Sequence, residues 1–170
     1  MNTILYFSPD GVVYETSVYS NADIVELVHD YGLECLTSED RQFDFWFTPS
    51  TRQCMRTANR GATEMLLATT QFTAKTVPLL YGAVVVATHD SVGDLDGLSW
   101  QQLDLLSKRG AALTRRDDRI LSRRIKRDAQ HRANQASANV VTGRYVERRI
   151  VTGSDQLGYN GPRTKLRSVP

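Results

Sequence analysis

Only two cysteines, Cys35 and Cys54, occur in the 170 residues. Their spacing fits no metal-ligand motif, and a disulfide between them is the lesser alternative. The pair reads instead as small apolar residues of a reducing compartment. No apolar run approaches the roughly 20 residues that a membrane-spanning helix needs. The start, MNTILYFSPDG, has neither a cationic opening nor a long apolar core, which predicts no secretory signal and a cytoplasmic location. Catalytic signatures are missing as well. There is no GxxxxGK or GxGxxG to cradle phosphate, and no HExxH, CxxC or GxSxG. The chain is expected to be a non-enzymatic protein without cofactor or metal.

What is present is a division of charge. The formal net charge is only +2, yet residues 1–100 carry 5 Lys/Arg against 13 Asp/Glu, and residues 101–170 carry 16 against 6. An imbalance of this size points to a nucleic-acid-binding arm or to head-to-tail association of charge-complementary halves. Seventeen of the 21 cations are arginine. Arginine makes forked contacts with phosphate and stacks on bases, so this bias favours nucleic acid over generic solubility.

The cations concentrate in RRDDRILSRRIKRDAQHRANQASANV, residues 115–140. At about 100° per residue, Arg115, Arg116, Arg119, Arg123, Lys126 and Arg127 share roughly one third of a helix circumference. Leu121, Ile125, Ala129, Ala136 and Val140 gather on the far side, which predicts a docking face. Asp117, Asp118 and Asp128 fall outside the cationic arc. Lined-up cations without a counter-charge repel one another unless a polyanion lies against them. Arg144, Arg148, Arg149, Arg163, Lys165 and Arg167 extend the charge into a poorly periodic tail, where RYVERRIV reads as a strand or an adaptable arm. Such a segment resembles arginine-rich RNA-binding helices in its physics, without a specific motif. No aromatic platform accompanies it, so base-specific reading is not expected.

Ahead of it, Thr3–Phe7 and Val12–Tyr19 flank the turn Ser8-Pro9-Asp10-Gly11 and predict a hairpin. Ser20-Asn21 opens a helix over 22–31, with Ile24, Leu27, Val28 and Tyr31 as its buried stripe and Gly32 as its left-handed stop. Leu33–Thr37 and Phe43–Thr48 read as strands, the second with Phe43, Phe45 and Phe47 on one face and Trp46 on the other. Asn59 is placed to cap a helix over 61–69, with Met65, Leu66 and Ala68 partly buried. The most apolar run, Val77–Thr88, predicts a central strand or a bent pair, with a bulge at Gly82. Ser99-Trp100-Gln101-Gln102 is a capping box opening a helix that Gly110 should end. Thr114 with Asp117 repeats the pattern for the basic helix.

Other candidates reduce to ordinary structure. His89, Asp90, Asp94 and Asp96 crowd one turn, but the position where an EF-hand places Glu is Gln101, so a solvated turn is the simpler reading. His29 with Cys35 or Cys54 lacks any nucleophile signature. Trp46 and Trp100 read as core residues rather than stacking platforms.

Asn59-Arg60, the strand LLYGAVVVATHD, Gly93-Asp94-Leu95 and the helix start Leu98-Ser99-Trp100-Gln101-Gln102-Leu103 together resemble an uncharacterised domain family carried by bacteriophages and plasmids. The similarity spans the first 110 residues or so and carries no established activity. It implies an α+β fold, an origin on a mobile element, and a host-directed role in the bacterial cell or a place in the virion. The expected organisation is an α+β domain over 1–110 with a small, mainly antiparallel sheet and two or three helices. A basic amphipathic helix follows over 111–140, then a basic arm over 141–170. The function expected is a grip on RNA, DNA or a ribonucleoprotein. The alternative is a protein–protein interaction or assembly role, with an acidic host protein or a second copy as partner.

Overall fold

The computed structural model describes residues 2–49 and 57–156, with side chains as far as residue 137. It divides into two compact units, Met1–Gln130 and His131–Pro170. The architecture is α+β. Six strands, β1 (Asn2–Phe7), β2 (Val13–Val18), β3 (Glu34–Thr37), β4 (Asp44–Phe47), β5 (Val84–His89) and β6 (Leu95–Asp96), pair antiparallel in the order β2-β1-β5-β4-β3. The short β6 pairs with β5, Leu95 opposite His89. Four helices complete the described elements: α1 (Asn21–Val28), α2 (Arg60–Thr69), α3 (Trp100–Ala111) and α4 (Arg115–Gln156).

The two faces of the sheet carry different cores. Alternation along β4 and β5 sends Phe43, Phe45, Phe47, Val84 and Val86 to one side, where they meet Leu66 of α2, Leu106 of α3 and Leu121 of α4. Val85, Ala87 and Trp46 point the other way, to Ile24 and Val28 of α1. A central strand covered on both faces has no polar-facing side, which is why Val84–Ala87 is an unbroken apolar run. The chain before it bends. Gly82 takes a positive φ of 70° and donates to the Thr57 carbonyl at 2.9 Å, so the strand begins only at Val84. At Gly97 the backbones are tighter still: a Cβ there would stand 2.7 Å from the Thr3 nitrogen.

Several boundaries differ from the sequence reading. The α1 helix ends at Val28 because His29 adopts the left-handed conformation, φ 56°, and the Asp30 N–H closes onto the Val25 carbonyl. Histidine tolerates this region better than most side chains, and Gly32 is not required as a stop. Tyr31 consequently leaves the buried stripe and is 95% exposed. Gly110 does not end α3; it lies within the helix, where a Cβ would make only an ordinary contact with the Met65 methyl at 3.5 Å. Trp100 is 77% exposed on the first turn of α3, not in the core. Leu67 joins the core beside Leu66. From 141 onward, α4 continues as helix to Gln156 where a strand or arm was expected. Propagation adds one hydrogen bond per residue, so fading periodicity does not by itself end a helix. No helix among the described residues is long and apolar enough to cross a membrane.

Candidate nucleic-acid interface

The first turns of α4 reach the sheet's core through Leu121. Thr114 and Asp117 cap the helix reciprocally: the Thr114 hydroxyl donates to the Asp117 carboxylate at 2.6 Å, and the Asp117 N–H donates to the hydroxyl at 3.2 Å. Asp118 pairs with Arg60 of α2, whose guanidinium also meets Glu64 at 2.7 Å. Arg60 is accordingly held above its ordinary pKa, mainly by the Glu64 hydrogen bond. Leu121 is fully buried, and Ile120 packs beside it. Both first-turn carboxylates are therefore spent on the cap and on Arg60.

Arg115, Arg116, Arg119, Arg123, Lys126 and Arg127 are all exposed. Among the described residues none of the six has a carboxylate partner or a side-chain hydrogen bond. They span about 18 Å of helix axis at the standard rise. Arg124 behaves differently. It is half-buried, and its two terminal nitrogens donate at 2.8 Å each to the carbonyls of Ala74 and Val77, clipping the loop after α2 onto α4. Sequence reasoning left Arg124 out; its position between the cationic arc and the apolar face was the available signal. The apolar face is narrower than expected, since Ala129 and Ala136 are exposed and only Leu121, Ile120 and Ile125 are covered. The side chains of Val140, Arg144, Arg148 and Arg149 lie outside the described residues, as do Arg163, Lys165 and Arg167 altogether.

The remaining candidates resolve into structure. The Asp90 carboxylate accepts from the N–H groups of Val92, Gly93 and Asp94 at 2.8 to 3.0 Å, which holds it below the usual carboxylate range. His89 leaves that turn, its Nδ1 2.5 Å from Asp44 Oδ2, while the Thr37 hydroxyl donates to Oδ1 at 2.6 Å. Among the described residues no three His, Cys, Asp or Glu side chains converge as a metal requires. Cys35 is a free thiol on edge strand β3, pushed up to about 12 by burial of its sulfur and then by the Asp44 charge. A thiol so protonated is a poor nucleophile. Cys54 lies outside the described residues. No family model, no curated protein and no solved structure matches the chain.

Proposed function

We propose that this chain is a non-enzymatic polyanion-binding protein that grips phosphate backbones of RNA, DNA or a ribonucleoprotein along the first turns of α4. The observation that supports this is the row of six exposed cations with no carboxylate partner among the described residues. Solvated helices normally alternate charge sign, and i,i+4 like-charge pairs such as Arg115–Arg119, Arg119–Arg123 and Arg123–Arg127 are destabilising by a few tenths of a kcal/mol each. Uncompensated repulsion of this kind is relieved when phosphates lie against the row and its cations displace the counter-ions condensed on the nucleic acid. The resemblance to mobile-element domains adds a bacterial host cell as the setting.

Deleting residues 111–170 is a poor test, because Leu121 would leave a hole in the core. Substitution is better. Arg119, Arg123, Lys126 and Arg127 are changed together to Gln, and affinity for nucleic acid is measured against salt. Loss of four phosphate contacts lowers the slope of log K against log salt by about 3. An unchanged affinity and slope would overturn the reading. Salt-reversible self-association without nucleic acid would favour assembly through the acidic and basic halves instead.

A further inference from the structure

We infer that the nucleic acid gripped by α4 is single-stranded, and that Phe72 is the platform on which one of its bases stacks. The inference rests on the polyanion reading and narrows it. Phe72 is 40% exposed, an aromatic ring left in water on the loop that follows α2. Most exposed apolar side chains mean nothing singly. This one has a fixed address. Arg124 of α4 holds the carbonyls of Ala74 and Val77, and Phe72 stands two residues before Ala74 with only Thr73 between them, a reach of at most about 7 Å.

The loop is also stiff. The Thr76 hydroxyl accepts from the Thr73 N–H at 3.0 Å, and the N–H groups of Thr76 and Val77 both return to the Thr73 carbonyl at 2.9 Å. Lys75, exposed beside Ala74, adds a further cation at the same edge. At about 100° per residue Arg124 falls between Arg127 and Leu121, so the loop that carries Phe72 is tied to the flank of α4 next to the cationic arc. Among the described residues the other exposed aromatics stand elsewhere, Tyr14 on the edge strand β2. Tyr19 and Tyr31 flank α1, on the opposite side of the sheet, and Trp100 stands at the far end of α3, about 16 Å from its last residue. An aromatic face beside a cationic track is what an unpaired strand requires, with phosphates on the cations and a base on the ring; a duplex keeps its base faces closed.

The test uses the full chain with fluorescently labelled 20-nucleotide dT and rU strands and a duplex of matched length, at fixed salt. Phe72→Ala should weaken both single strands about fivefold or more, the lower end of a stacking contact, and move duplex affinity less than twofold. Phe72→Trp should restore single-strand affinity, and its added emission should be quenched on binding. A difference between the dT and rU arms identifies which sugar the track prefers. If Phe72→Ala leaves single-strand affinity intact while the four-cation variant loses it, stacking is refuted and the polyanion reading stands. If neither variant changes binding, both fall.

Discussion

Arg109, in the last turn of α3, donates to Asp40 at 2.6 Å and lies 5.8 Å above the Phe43 ring. One guanidinium thus ties the turn between β3 and β4 to the helix layer. Burial alone would raise the Asp40 pKa; the Ser38 hydroxyl, Arg109 and the Gln42 N–H outweigh it and hold the carboxyl below its usual range. A carboxyl depressed in the folded state adds stability above its unfolded pKa and loses it as pH falls through the folded value. Asp40→Asn should therefore cost on the order of 1 kcal/mol at neutral pH, and the gap from the parent should close below about pH 4. Chemical denaturation of both proteins from pH 3 to 7 measures it. A gap that persists at the acid end would contradict the assignment.

Asn59 does more than cap α2. Its Oδ1 accepts from Ala62 N–H at 3.1 Å, while its Nδ2 donates to the carbonyls of Phe7, Ser8 and Gly82 at 3.1, 3.0 and 2.8 Å. Asn59→Asp keeps a cap acceptor but turns a carboxylate toward three carbonyls. It should destabilise more than Asn59→Ala, itself expected to cost at least about 2 kcal/mol. At an exposed cap the order would be the reverse, so urea midpoints of the two variants decide between the roles.

Gly97→Ala should lower stability by roughly 1–3 kcal/mol, because its Cβ would meet the backbone of Asn2 and Thr3 rather than a movable side chain. The same substitution at Gly110 meets only the flexible end of Met65 and should be neutral or stabilising, as alanine is the better helix residue. Thermal melts showing equal effects at the two sites would refute the distinction.

Stability and charge should separate along α4. Leu121→Ala opens a core cavity and should cost about 2–5 kcal/mol. Arg119→Gln or Arg123→Gln should cost nothing measurable, or raise stability slightly by removing like-charge repulsion. A marked loss from either arginine would reveal a structural partner that the row is held to lack.

Much of this fold was legible in the residues. The alternation in FDFWF placed Phe43, Phe45 and Phe47 against one core and Trp46 against the other, because a strand's period is rigidly two. Ser99 with Gln102 and Thr114 with Asp117 marked helix starts, since capping depends on local spacing alone. The stops were harder. His29 took the left-handed position in place of Gly32, and α3 ran past Gly110 to a cap at Ala112, neither of which glycine position alone announces. At the candidate interface the exposed row could be read from helix angle, whereas the Arg124 clip onto Ala74 and Val77 joins positions about 50 apart, which no local pattern announces.

That clip, with Leu121 beneath it, has a bearing on how fast and how cheaply a ligand is met. Basic tails usually fold as they bind and surrender chain entropy in doing so. Here Leu121 and Arg124 already anchor the charged turns to the core, so under the proposed function their spacing would be a ruler set before any contact.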